Sequence, residues 1–144
     1  MSSVQEATNE AAFRRLHDAT NSGDVETVAR TIDELVAPDA AIHAPVPVDA
    51  TGPGLLKEIW TKLLQAYPDV HVAVEDLIAK DDKIVTRQSV TATHQGEYLG
   101  VAPTGTAVNY DELFILRFWN GRIVEMWGVV DVLAQMRQLG ALPA

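Results

Sequence analysis

The sequence predicts an α+β fold: a strongly curved, mainly antiparallel sheet with helices packed on its concave face, forming a cone with an internal pocket. Three observations predict it. Apolar residues recur at helical spacing up to Pro68 and alternate at strand spacing after it, an Asn-Gly pair at 120–121 separates two β-rich runs, and a final helical run follows them. Helices are thus segregated from strands. A sheet of this kind twists and curls, and helices laid on its concave side leave a cone-shaped hollow wherever they do not fill it.

Taken in order, Ala11, Ala12, Phe13, Leu16 and Ala19 give a first helix from about Val4 to Ser22, ended by Asn21-Ser22-Gly23. Asp24 caps a second helix, whose face is Val25, Val28, Ile32, Leu35 and Val36 and which Pro38 is expected to stop. The two form a hairpin. A short extended segment, Ala40 to His43, leads to the turn-rich APVPVDATGPG, where prolines and glycines exclude regular helix. A third helix runs from about Leu55 to Tyr67, with Leu55, Ile59, Leu63 and Leu64 on one side. Beyond Pro68, Val70, Val72 and Val74 alternate with His71, Ala73 and Glu75, and Asp81-Asp82 turns the chain into KIVTRQSVTATHQ, rich in β-branched residues. The next strands are Ala107 to Trp119 and Arg122 to Val130, and a helix from about Asp131 to Leu139 ends at Gly140. With no internal repeat, low-complexity stretch or linker, residues 1–144 are expected to form one domain.

Composition narrows the function classes. The 144 residues include no cysteine, which excludes a disulfide framework, a thiolate metal site and a cysteine nucleophile. A formal net charge of −9 without a Lys/Arg cluster argues against a nucleic-acid partner. Arg14, Arg15, Arg87 and Arg117 are expected to be solvated or paired with carboxylates. The first thirty residues hold no basic stretch followed by an apolar core, and no later run approaches the roughly eighteen apolar residues of a membrane span. The expectation is a soluble, cytoplasmic protein.

Three stretches carry a resemblance. They are IHAPVPVDATGPGLLKEIWTKLLQAYPDV, THQGEYLGVAPTG, and ILRFWNGRIVEMWGVVDVLAQMRQLG. In order and spacing they resemble the SnoaL-like polyketide cyclase family of the nuclear-transport-factor-like cone fold. The resemblance implies that fold, and a family containing cyclases, hydrolases, isomerases and non-enzymes. It also implies a carboxylate at Asp131, as a general acid/base for intramolecular aldol closure, and a histidine at His94.

Alternation supplies the candidate site. Glu125, Trp127, Val129 and Asp131 share a face if the last strand stays regular, and if that face is the concave one Asp131 is partly desolvated, which raises a carboxyl pKa toward neutrality. Asp131 also stands where the last helix begins, so it can cap that helix instead, or do both. His94, at the end of a strand, and His43, on the short strand near the pocket, can orient a carbonyl or share a proton, or serve as hydrogen-bonded structural residues. Tyr110, Glu112 and Phe114 alternate on one strand, so one face carries a hydroxyl, a carboxyl and a ring. Turned inward, Glu112 is a second carboxyl in the cavity; turned outward, as expected, it is surface or dimer interface. Trp60, Trp127 and Phe114 are expected as core or pocket wall. No metal is expected, since two histidines and an aspartate on separate elements lack ligand spacing such as HExxH.

The leading expectation is a cofactor-free proton-transfer enzyme acting on a small apolar carbonyl compound, by cyclisation or isomerisation, with Asp131 as the base and His94 or His43 steadying the enolate oxygen. The alternatives are a non-catalytic ligand-binding or dimerisation module and an epoxide hydrolase of the same fold. Hydrolases of that kind use an Asp-Arg-Asp relay, for which this chain offers only Arg87 and Ser89, one carboxylate short. A homodimer is expected, because the convex sheet face carries apolar residues that a monomer exposes.

Overall fold

A computed structural model describes residues 3–44 and 50–142. The turn-rich run expected after His43 lies, over residues 45–49, outside the described residues. Helix α1 (Ser3–Thr20) turns Ala12, Phe13, Leu16 and Ala19 inward. Asp24 begins α2 (Val25–Leu35) as expected: its carboxylate accepts from the Thr27 hydroxyl and amide, and these bonds hold its pKa below the ordinary carboxylate range.

Strand β1 (Val36–His43) departs from expectation, because it starts directly after α2 and contains Pro38. The physical reason is its place at the sheet edge. β1 pairs only with β5 (Arg122–Val130), in parallel, and the register shifts between Val36 and Ala41, so the ladder does not need the amide that proline lacks. The Arg122 guanidinium donates to the carbonyls of Asp33 and Val36, at 3.2 and 3.3 Å, pinning the join between α2 and β1.

Helix α3 (Gly52–Ala66) has Pro53 in its first turn, where no amide is needed, and buries Leu55, Leu56 and Leu64. Strands β2 (His71–Lys80), β3 (Lys83–Thr93), β4 (Ala107–Trp119) and β5 then complete an open five-stranded sheet ordered β1-β5-β4-β3-β2. The three pairings after β1/β5 are antiparallel. At the β4–β5 hairpin, Asn120 and Gly121 have φ of 52° and 73°, which is the left-handed geometry an Asn-Gly turn adopts. Helix α4 (Val132–Gln138) follows β5.

Alternation assigns the even-numbered residues of β3 and β4, and of β5 from Met126 on, to the concave face; before the register shift in β5, Ile123 is the buried residue, opposite Phe118. Ile84, Thr86, Val90, Val108, Leu116 and Phe118 are buried there against α1, α2 and α3. The chain between β3 and β4 is tied down by its backbone: the amides of Gln95 and Gly96 both donate to the Ala66 carbonyl, and the His94 amide donates to Thr106. A Cβ at Gly96 would stand 2.2 Å from the Gln65 carbonyl oxygen, so this loop can lie on the end of α3 only because residue 96 is glycine. That contact leaves Tyr98, two residues on, at the wall of the space enclosed by sheet and helices.

Candidate functional site in the cone

Between the concave face and the helices lies an apolar cavity of about 130 Å³. Its walls come from α1 (Phe13, Leu16), α3 (Leu56, Trp60), β3 (Gln88, Val90), β4 and β5, with Tyr98 from the loop. The space is close to the roughly 150 Å³ that holds a single aromatic ring in a protein interior.

Strand β4 lines it with Tyr110, Glu112, Phe114 and Leu116, and β5 with Met126, Gly128 and Val130. Those residues face one another across the ladder, Glu112 opposite Val130, Phe114 opposite Gly128 and Leu116 opposite Met126. A Cβ on Gly128 would lie 2.4 Å from Phe114 Cε1, so the phenyl ring lies directly against the bare β5 backbone.

Glu112 is therefore inside, against the outward orientation expected for it. The reason is the strand itself: Tyr110 and Phe114 both face the cavity, and a residue between them at period two must face it too. Its carboxyl makes no hydrogen bond among the described residues, and burial pushes its pKa up from 4.5 to about 7. An unpartnered carboxylate in an apolar hollow is costly, so the neutral form is held at higher pH than in water.

Of the two placements expected for Asp131, the structure shows the helix cap. The face shared by Glu125, Trp127 and Val129 is the outer one, and Asp131 is an exposed residue whose carboxylate accepts from the Ala134 amide at 3.0 Å, capping α4. The parity of β5 sends even-numbered residues inward, and Asp131 follows Val130 at the strand end. Trp127 is likewise outside the cavity wall, with its ring stacked on His43 at 5.5 Å.

His43 borders the cavity on β1, but its ring is engaged outward, with Nε2 2.9 Å from Glu125. Glu125 also accepts from Arg117 at 3.1 Å, and the His43 bond and this one hold its carboxyl below the ordinary range. His94 is fully buried behind the cavity wall rather than in it. Its Nδ1 accepts from the Thr104 amide at 3.2 Å and lies 3.0 Å from the Thr104 hydroxyl, so in the neutral ring the proton sits on Nε2. That Nε2 has no hydrogen-bond partner, and the ring rests against Tyr67 at 5.6 Å. Arg87 is on the outer face, paired with Asp76 at 2.8 Å, and Ser89 donates to Glu75. No arginine lines the cavity among the described residues.

The structure thus brings Tyr110, Glu112, Phe114 and Trp60 together and leaves Asp131, Trp127 and His94 outside. Tyr98, Gln88 and His17 also line the cavity without having been singled out from sequence. For Gln88 the signal is present, since it alternates with Ile84, Thr86 and Val90, all buried. His17 has a structural role, with Nε2 2.7 Å from the Val72 carbonyl oxygen, joining α1 to β2. Among the described residues no group of three or more His, Asp or Glu is arranged to hold a metal, and no helix is long and apolar enough to cross a membrane.

Fold and cavity define a small open-sheet cone protein with a single carboxyl in an apolar pocket. The chain belongs to the SnoaL-like polyketide cyclase family, whose pattern it matches over residues 10–139. Among solved structures, it is similar to wild-type IdmH from Streptomyces antibioticus, a candidate polyketide cyclase, at 34% identity and a TM-score of 0.77, covering 92% of this chain and 98% of that one. It is also similar to AclR from Streptomyces galilaeus, a candidate hydroxylase, at 31% identity and a TM-score of 0.81, covering 96% and 88%. A SnoaL-like protein from Jannaschia sp. CCS1 shares the fold at 23% identity and a TM-score of 0.85, over 99% of both chains. No curated protein matches the sequence.

Proposed function

We propose that this chain is a cofactor-free, cytoplasmic proton-transfer enzyme that cyclises or isomerises a small apolar carbonyl compound, with Glu112 as the general acid/base. The observation that carries this reading is Glu112 itself: a carboxyl lining an apolar cavity, without a hydrogen-bond partner among the described residues, its pKa pushed up to about 7 by burial. A carboxyl poised there is present both as the base and as its conjugate acid at neutral pH, so one group can take a proton from carbon and return it within a turnover. Membership of a cyclase family supports the same class of chemistry. Asp131, bound to the Ala134 amide at the start of α4, is assigned the cap instead.

The reading includes a homodimer formed through the outer sheet face. Val85, Leu113, Ile115 and Val129 are exposed there, the last at 70%, and they neighbour one another across β3, β4 and β5. Charges of both signs flank them, Arg87 with Asp76 and Arg117 with Glu125, so a second copy can meet the patch across a two-fold axis with opposite charges aligned.

Cyclohexanone tests the chemistry, since it is small enough for the cavity and its α-protons exchange slowly in neutral buffer. In D2O the protein is expected to accelerate loss of the α-proton signal by NMR, and Glu112→Gln to remove about a hundredfold or more of that acceleration. Exchange at the buffer rate with the ketone bound would sink the enzyme reading in favour of a ligand holder.

A further inference from the structure

A tyrosine that lines an apolar cavity and whose hydroxyl has no protein partner keeps that hydroxyl available to a ligand. Two residues of this cavity are placed so. Tyr98 and Tyr110 are 9% and 6% exposed, both line the cavity, and neither hydroxyl has a partner among the described residues. They come from separate parts of the chain, Tyr98 from the loop after β3 and Tyr110 from β4, and converge on the space that also holds Glu112.

Their bodies are firmly held while their hydroxyls are not. The backbone of Tyr98 exchanges two hydrogen bonds with Val101, at 3.0 and 2.9 Å, across a turn in which Leu99 and Gly100 have φ of 48° and 82°. Its ring packs on Tyr67 at 5.4 Å, and the Tyr67 hydroxyl in turn accepts from Gln135 Nε2 at 2.6 Å, anchoring the aromatic pair to α4. A fixed ring with an unsatisfied donor facing an apolar space is arranged for an acceptor that arrives with a ligand.

Resting on the acid/base reading of Glu112, we propose that the Tyr98 and Tyr110 hydroxyls together receive the substrate's carbonyl oxygen, so that the substrate class is a neutral ketone of about one ring with its α-carbon turned to Glu112. The step balances within these groups. The Glu112 carboxylate takes the α-proton, the C–H bond breaks as O–H forms on the carboxyl, and the freed pair becomes C=C while the carbonyl π pair moves onto oxygen. The enolate oxygen then accepts both tyrosine hydrogen bonds. Return of the proton from Glu112 to another carbon isomerises the ketone, whereas attack of the enolate carbon on a second carbonyl closes a ring, and Glu112 protonates the new alkoxide. Burial keeps both phenols protonated, Tyr98 at about 12 and Tyr110 well above 10, with Glu112 close enough to push both further up. They act as donors and never compete with Glu112 as bases.

The probe is 4-nitrophenol, whose ionised oxygen mimics an enolate and whose ionisation is visible by absorbance. In a Glu112→Gln background, which removes the competing titration, the bound phenol is expected to ionise at a pH about one unit higher after Tyr98→Phe, and likewise after Tyr110→Phe. Failure of 4-nitrophenol to bind, or a bound pKa unmoved by either change, overturns the proposal. Either tyrosine carries the test if the other variant does not fold. The Glu112 reading is checked separately, by the pH at which its carboxyl titrates in the wild-type protein by carbon-13 NMR. A carboxyl titrating near 7 beside an unresponsive phenol removes the tyrosine pair and keeps Glu112; the reverse result removes Glu112 and keeps the pair.

Discussion

The two faces of the sheet treat the same side chain in opposite ways. Glu112 and Glu125 lie on adjoining strands, yet the first has its pKa raised by burial and the second has it lowered by His43 and Arg117. On the outer face Glu125, Asp76 and Glu75 all have partners: Glu125 has two, Asp76 has Arg87, and Glu75 has Ser89. On the concave face Glu112 has none. The outer face thus spends its charges on local order, and the concave face holds one in reserve.

That contrast can be broken at its strongest point first. Because the folded pKa of Glu112 lies above its unfolded value of 4.5, the native state binds more protons between about 4.5 and 7, and stability must fall as pH rises through that window. The loss reaches about 3 kcal/mol at most and levels off above pH 7. Replacing Glu112 with Gln should flatten this part of the profile, which urea unfolding at a series of pH values measures; an unchanged slope would mean that the carboxyl is solvated after all.

Disturbing the opposite face should separate the protomers without touching the pocket. Leu113→Glu places a carboxylate beside Val129 in both copies, and we expect the dimer dissociation constant to rise by about a hundredfold, read by sedimentation. A wild-type protein that sediments as a monomer would remove the dimer altogether. A smaller effect, about 1 kcal/mol of stability, is expected for Asp131→Ala through loss of the α4 cap, with ketone exchange unchanged. Collapse of exchange in that variant would return the catalytic role to Asp131. The smallest is Glu125→Gln, whose destabilisation should vanish at high salt because the pair is at the surface.

Much of the architecture was legible because it is local. Ala107–Trp119 and Arg122–Val130 are bounded by a turn that only Asn-Gly chemistry makes easily, and the observed strands match those limits. Helix caps and periodicity gave the order of elements in the same way. The join at Pro38 was not legible, since whether proline stops a helix or sits in a strand depends on the neighbour β1 has in space.

The site was harder, because facing is a long-range property. Strand β5 carries apolar residues on both sides, so its sequence does not say whether Trp127 or Met126 looks inward. Gly128 held the missing signal. A glycine within a strand marks a close approach, and its cross-strand neighbour is Phe114, which fixes the even face as the crowded one. From there the inward facing of Glu112 follows, and Asp131, one residue past Val130, falls outside the cavity lining.

The absence of a side chain at residue 128 also governs how wide the hollow is. The Phe114 ring occupies what would be the β-carbon's place, so even a methyl group there must displace the ring, which is itself part of the cavity wall. Residues 114 and 128 act as a paired width adjustment, and a chain that needed to admit a second ring could do so by shortening the aromatic while leaving the acid, the phenols and the scaffold as they stand.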